Sequence, residues 1–196
     1  MISAWTPIAL SRDVPAGVTR AVLLEGKELV IWRSQADGAA HVWEDRCPHR
    51  GMRLSLGFVR EGALNCLYHG WQYGGSGSCV RIPAHPDLTV PPTITATVFE
   101  AAESGGLVWV RRGGGDAALP ELPPLRPLVS LAVDVDGLES DHVELGFEPG
   151  KLHLFWHRSA PGRIMLHAAL EGEADLLGAT GFVRRLRHDM EQGAAA

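Results

Sequence analysis

The sequence predicts a mainly β protein: an antiparallel β-sandwich or small barrel, followed by a small α+β region that ends in a helix. Short apolar or alternating runs, punctuated by Gly, Asp or Pro, fill the first half of the 196-residue chain and are typical of strands. Near the C-terminus, apolar residues recur at intervals of three and four, which favours a helix. A hydrophobic content of 45% is enough for a buried core.

Five strand signals occur in the first half, at residues 21–24, 29–32, 39–43, 63–66 and 107–110. After residue 112 come three glycines and then closely spaced prolines, a composition typical of a partly stiff connector. We therefore predict a first domain over residues 1–112, a Gly/Pro-rich linker over 113–128 and a small α+β region over 129–196.

The C-terminal region begins with a strand signal at Val129–Val135. Residues 152–157 and 164–168 flank a Ser-Ala-Pro-Gly turn and predict a hairpin. One apolar face of the final helix is predicted from Leu176, Ala179, Val183, Leu186 and Met190. This face either packs on a small sheet or binds a partner.

Two pairs of metal-ligating residues form the most specific motif: Cys47 with His49, and Cys66 with His69. Two thiolates and two imidazoles suit a Rieske-type [2Fe–2S] cluster, in which two histidines replace two cysteines on one iron. A structural zinc would accept the same four ligands, although zinc fingers usually keep the cysteines and the histidines in separate pairs. Cys79 would make the ligand count wrong for either iron, so we interpret it as a small half-buried apolar residue.

The residues around these ligands extend the motif to 45–51, 54–57 and 66–73, which read DRCPHRG, LSLG and CLYHGWQY. They resemble the Rieske domain of the aromatic-ring-hydroxylating oxygenases, in the α-subunit and monooxygenase form, over about the first 112 residues. Respiratory Rieske proteins carry an extra disulfide-forming cysteine in each cluster loop, whereas Met52 and Tyr68 stand at those positions here. The resemblance implies one cluster per chain, with Cys47 and Cys66 on one iron and His49 and His69 on the other.

Neighbouring residues have uses in this interpretation. Gly51 and Gly70 follow the histidines, where the backbone can turn tightly and aim amides at the sulfurs. Trp71 and Tyr68 either shield the cluster or pack in an ordinary core. Arg46 and Arg50 flank the first cluster loop. They either balance the charge of the cluster, dock a partner, or are simple surface residues.

Composition excludes other classes. The net charge of −5, with no basic stripe, argues against nucleic-acid binding, and no run approaches a membrane-spanning length. No secretory signal is visible at the N-terminus, and the cysteine usage suits a reducing compartment, so a cytoplasmic location is expected.

The resemblance weakens in the C-terminal region. Full oxygenase subunits continue into a longer catalytic domain, whose mononuclear iron is bound within a carboxylate-x-x-His-x-x-x-x-His motif, and no two histidines in this chain have that spacing. A substitute iron site would need His153, His157 and His167, which lie on the predicted hairpin. Its carboxylate would come from Asp141, Glu144 or Glu148.

The sequence thus predicts an electron-transfer protein or subunit in a multicomponent oxygenase-type system, an oxidoreductase component rather than a self-sufficient catalyst. The implied partners are an electron-donating reductase or ferredoxin and an electron-accepting oxygenase; a homo-oligomer stays open. Two alternatives remain. One is a compact oxygenase with its own mononuclear iron, and the other is a non-redox ligand-binding or regulatory protein with a structural or sensory metal site.

Overall fold

The computed structural model describes residues 5–111, 117–136, 138 and 141–193. The chain divides into two compact units: residues 14–23 and 27–101 form one, and residues up to Asp13, Leu24–Gly26 and residues from Ala102 onward form the other. Within the described residues the fold is mainly antiparallel β with one C-terminal helix, which confirms the predicted fold class. The predicted boundaries between domains stay a prediction.

The unit around residues 27–101 contains two four-stranded antiparallel sheets. One has the order β2-β3-β4-β9 and the other β5-β6-β7-β8. Their strands are β2 (Thr19–Leu24), β3 (Lys27–Arg33), β4 (Ala40–Glu44), β5 (Phe58–Arg60), β6 (Ala63–Asn65), β7 (Gln72–Tyr73), β8 (Cys79–Arg81) and β9 (Val98–Phe99). The strand signals at residues 21–24 and 29–32 fall within β2 and β3, and those at 39–43 and 63–66 overlap β4 and β6 with one residue outside each strand, so these four strands are confirmed.

The core of this unit is built from aromatic side chains next to the predicted metal ligands. Trp32, Trp43 and Tyr73 are fully buried there, and Cys47 and Cys66 belong to the same cluster of buried residues. Each large apolar side chain contributes about 1.5–3 kcal/mol when it is fully buried. The cysteines therefore lie at the edge of this packed core.

The other unit contains a three-stranded sheet, a four-stranded sheet and a helix. The three-stranded sheet has the order β1-β11-β10, and the four-stranded sheet has the order β12-β15-β14-β13. The elements are β1 (Trp5–Leu10), β10 (Ala101–Ser104), β11 (Leu107–Arg111), β12 (Arg126–Val133), β13 (His142–Phe147), β14 (Gly150–Ala160), β15 (Arg163–Glu171) and α1 (Leu176–Gly193). The predicted C-terminal hairpin is confirmed as β14 and β15.

The two faces of the four-stranded sheet differ. One face packs its leucines against α1, where Ala179 and Val183 are buried. The opposite face contributes Phe155 and Ala169 to an apolar cluster with Trp5 and Trp109 of the three-stranded sheet. Because side chains alternate along a strand, the residues in register with Phe155 also share this second face, and several of them are histidines.

Two sequence predictions need correction at this sheet. Strand β12 begins at Arg126, earlier than the predicted Val129, because Arg126 pairs with Leu170 and its guanidinium donates to the Ala174 carbonyl at 2.8 Å. Leu176, predicted on the buried helix face, is 41% exposed at the first turn. The rest of that face is confirmed, since Leu186 and Met190 pack against the sheet core.

Candidate metal centre

Two loops with the same backbone closure carry the four predicted ligands. In the first loop the Cys47 amide donates to the Met52 carbonyl at 2.8 Å, and the Gly51 amide donates to the Cys47 carbonyl at 2.8 Å. In the second loop the Cys66 amide donates to the Trp71 carbonyl, and the Gly70 amide to the Cys66 carbonyl, both at 2.9 Å. In each loop the hydrogen bonds therefore hold the cysteine at the first position, and the backbone turns back towards it at the glycine.

The glycines are required by backbone geometry. Gly51 has φ +71° and Gly70 has φ +68°, in the left-handed region that side chains disfavour. A Cβ added at Gly70 would also lie 3.2 Å from Cγ of Pro83. Glycine at this point lets each loop reverse within one turn, which leaves His49 and His69 at the loop tips.

The two cysteines are buried beneath these tips, each only 2% exposed. The hydroxyl of Tyr73 lies 3.1 Å from Sγ of Cys47 and donates to it when the sulfur is a thiolate. Burial raises the pKa of Cys66, while the backbone amides of Tyr68 and His69 act in the opposite direction. Such donors stabilise a metal-bound thiolate in a site where solvent cannot do so.

The two histidines lie at the surface side of the same site. Their rings approach each other with centroids 4.7 Å apart, and the ring of His49 stacks on Trp71 at 4.0 Å. Tyr68 lies 3.8 Å from the ring of His69, although its own side chain is 60% exposed. Partial burial, followed by the charges of His69 and Arg50, lowers the pKa of His49. Neutral imidazole, the form that binds metals, is thereby favoured.

A buried carboxylate that the motif did not indicate braces the first loop. Asp45 is 3% exposed and accepts two hydrogen bonds from Ser55, from the amide at 2.7 Å and from the hydroxyl at 2.6 Å. These bonds tie the residue before Arg46 to the short 3-10 helix Leu54–Leu56. An acidic residue shortly before the first cysteine was the only sequence signal for this role.

The donor set fits a [2Fe–2S] cluster. Two buried sulfurs, with a hydroxyl and amides aimed at them, adjoin two imidazoles near solvent. The third cysteine does not join this set: Cys79 is buried in the core beside them, with its Sγ 3.6 Å from the Arg81 carbonyl. All three cysteines are free thiols, so no disulfide braces the loops within the described chain.

The residues considered for a mononuclear iron separate into two groups in the C-terminal sheet. His153 lies beside Glu144, with His153 Nδ1 3.8 Å from a carboxylate oxygen. His157 instead contacts His167, with ring nitrogens 3.4 Å apart, and its Nδ1 donates to the Pro7 carbonyl at 2.8 Å. Four residues along a strand separate His153 from His157 by about 13 Å, so the three histidines do not share one ligand set.

Comparison with known proteins decides the nature of the cluster loops. The Rieske [2Fe–2S] domain family matches residues 4–92. This segment is a Rieske domain. Its cofactor is accordingly a [2Fe–2S] cluster of the Rieske type, rather than the zinc ion that the same four side chains could hold.

Relatives of the Rieske domain occur in oxygenase systems. The chain is 40% identical over 113 residues to the oxidoreductase NdmD of Pseudomonas putida, covering 57% of this chain and 19% of the relative. It is 39% identical over 126 residues to the 3-chlorobenzoate-3,4-dioxygenase oxygenase subunit of Comamonas testosteroni, covering 63% and 29%. The chain thus spans about a fifth to a third of the length of these curated relatives.

Structural likeness extends beyond the Rieske domain. The crystal structure of apo dicamba monooxygenase superposes with a TM-score of 0.73 at 18% identity, covering 98% of this chain and 86% of that one. At this identity the likeness establishes the fold and nothing further. Among the residues that the structure describes, no helix is both long and apolar enough to cross a membrane.

Proposed function

We propose that this chain transfers single electrons within a multicomponent oxygenase system, with Cys47 and Cys66 holding one iron and His49 and His69 the other. One observation carries the proposal. Two loops closed by the same pair of backbone hydrogen bonds each place one buried cysteine next to one histidine that faces solvent. When bound, the cluster accepts and releases one electron at a time.

Each part of the loops has a separate task in this proposal. Buried Cys47 and Cys66 hold the charge-rich side of the site away from water, and the Tyr73 hydroxyl offsets part of that charge. His49 and His69 direct the other side towards solvent, where a redox partner can approach. Trp71 fixes the orientation of His49 by stacking on it.

The surface beside the histidines suits a transient partner. Leu67 and Tyr68 are 58% and 60% exposed next to His69, and Leu56 is 55% exposed in the short helix after the first loop. Exposed apolar side chains of this kind mark interaction sites when they cluster. We propose that a reductase or ferredoxin and then an oxygenase dock here in turn. Three free cysteines support a reducing, cytoplasmic location.

Electron-transfer kinetics test the proposal directly. Purified protein reduced by a flavin-dependent reductase should become fully reduced in stopped flow and be reoxidised by an oxygenase component. A Cys66→Ala variant should lose the cluster and this activity, whereas the matched Cys79→Ala variant should keep both. Equal activity in the Cys66→Ala variant, or loss only in Cys79→Ala, would overturn the ligand assignment.

A further inference from the structure

A second cluster of metal-ligating side chains lies in the C-terminal sheet. His142 and Glu144 of β13 and His153 of β14 have ligand atoms that all lie within 4.8 Å of one another. In the antiparallel register, Glu144 is directly opposite His153 and His142 is the diagonal neighbour, so the three side chains share one face. We propose that these three residues form a zinc site, separate from the cluster loops and independent of the function proposed above.

The distances match a tetrahedral ion. Nε2 of His142 lies 3.4 Å from Nδ1 of His153. Metal–nitrogen bonds of about 2.0–2.1 Å at tetrahedral angles place two ligand nitrogens about 3.3 Å apart. Oε1 of Glu144 lies 3.8 Å from the same Nδ1 of His153, within reach of a small rotation of an exposed side chain.

A carboxylate behind His153 selects the correct ring nitrogen. Nε2 of His153 lies 2.9 Å from Oε2 of Glu171, and only a protonated nitrogen can donate to a carboxylate. A neutral His153 then carries its single proton on Nε2, which leaves the lone pair of Nδ1 directed at His142 and Glu144. Protein zinc sites commonly use this carboxylate–histidine arrangement to orient a ligand.

The remaining ligands are positioned and accessible. The ring of His142 stacks on Phe155 with centroids 4.2 Å apart, which holds its plane nearly parallel to that of His153. Lys151 binds Oε2 of Glu144 at 3.2 Å and leaves Oε1 for the ion. His153 is 1% exposed, whereas Glu144 is 46% exposed at the outer edge of the sheet, so an ion can enter from solvent.

The chemistry favours zinc over other ions. Imidazole nitrogens are borderline ligands and a carboxylate oxygen is a hard one. A set of two imidazoles and one carboxylate binds zinc more strongly than iron(II), and its nitrogens disfavour calcium and magnesium, which prefer oxygen ligands. Three protein ligands leave a fourth tetrahedral position for water.

Zinc titration of the cluster-loaded protein tests the site. Protein with full iron and sulfide content is dialysed against Zn²⁺, and bound zinc is measured by mass spectrometry. We expect one zinc per chain, with affinity about 10- to 100-fold lower in Glu171→Gln and reduced at least as much in His142→Ala and Glu144→Gln. The exposed residues His188 and Glu173 provide controls, and His188→Ala and Glu173→Gln should bind zinc like the wild type.

X-ray absorption at the zinc edge identifies the ligands without interference from iron. Nitrogen and oxygen neighbours at about 2.0–2.1 Å would support the site. Sulfur neighbours at about 2.3 Å would place the zinc in the cluster loops and overturn it. Equal zinc binding by His142→Ala and the wild type, or preference for iron(II) over zinc at equal concentrations, would overturn it as well.

Discussion

The histidines of the two regions have opposite environments. In the cluster loops, His69 is exposed and His49 half-buried, and the rings contact each other, Trp71 and Tyr68. In the C-terminal sheet, His153, His157 and His167 are all less than 5% exposed and hydrogen-bonded. Outward histidines suit the binding of a cluster that exchanges electrons with a partner, whereas the polar atoms of inward histidines need partners within the fold.

The ring nitrogens of His157 and His167 find their hydrogen-bond partners within the fold. Nδ1 of His167 donates to the Ser130 hydroxyl at 2.9 Å, and that hydroxyl donates to Asp13 at 3.3 Å. Nδ1 of His157 donates to the Pro7 carbonyl at 2.8 Å, and Nε2 of His167 lies 3.4 Å from the same nitrogen. These contacts tie both rings to neighbouring groups of the sheet and of β1, so His157 and His167 stabilise the fold. His157 and His167 therefore need no metal.

The largest expected effect is the loss of the cluster when an outward histidine is removed. His69→Ala or His49→Ala deletes one of the four proposed ligands, and we expect purified variants to contain almost no iron or acid-labile sulfide. Metal analysis and visible absorption measure this loss. The exposed His85 provides the control: His85→Ala should stay red-brown with full iron content. Retention of the [2Fe–2S] cluster in His69→Ala would contradict the assignment of the outward histidines as its ligands.

Removal of an inward histidine should affect stability and spare the cluster. His157→Ala leaves the Pro7 carbonyl without this donor and opens a cavity, which costs on the order of 2–3 kcal/mol. Urea unfolding followed by circular dichroism measures the change. His188→Ala, on the exposed face of α1, should change stability by less than about 0.5 kcal/mol. Iron loss in His157→Ala at unchanged stability would reverse the assignment.

A smaller effect is expected where the core meets the cluster loops. Tyr73→Phe removes the hydroxyl 3.1 Å from Sγ of Cys47 and leaves the ring in place. The hydrogen bond strengthens as charge is added, so its loss should lower the reduction potential. A difference of about 1 kcal/mol corresponds to roughly 40 mV for one electron. Protein-film voltammetry measures the shift, and an unchanged or raised potential would exclude this role.

The smallest effect concerns His41, a half-buried histidine outside both proposed metal sites. The ring of His41 stacks on Trp32 at 4.2 Å, and burial lowers its pKa from 6.5 despite the opposing charge of Asp37. The unfolded chain therefore binds this proton first, and stability should fall as the pH drops below about 6.5. His41→Phe keeps the stacking and removes this slope. Parallel pH profiles of wild type and variant in thermal unfolding would contradict the assignment.

Sequence reasoning succeeded where the structure depends on local spacing. The strand signals and the final hairpin reflect alternation and turn residues, while the assignment of the four ligands stays a prediction. It missed features made by long-range pairing. Strand β13, the Tyr73 contact with Cys47 and the Asp45 contact with Ser55 depend on register and on core packing. No local pattern specifies which distant strand lies opposite.

Long-range strand pairing also explains why His153 and His157 have different neighbours. Spacing placed His153 and His157 on one side of a strand, and the structure agrees with that placement. The spacing did not indicate that His142 would lie beside His153, or that Glu171 would lie behind it. Both contacts arise from neighbouring strands of the folded sheet.

The central claim is that the outward histidines, and not the inward ones, bind the cluster. Protein with ¹⁵N-labelled histidine, reduced and measured by pulsed electron paramagnetic resonance, reports the nitrogens bonded to the paramagnetic iron. We predict two strongly coupled histidine nitrogens in the wild type and in His157→Ala. Absence of any coupled histidine nitrogen, or two coupled nitrogens that persist in His49→Ala and His69→Ala, would contradict the claim.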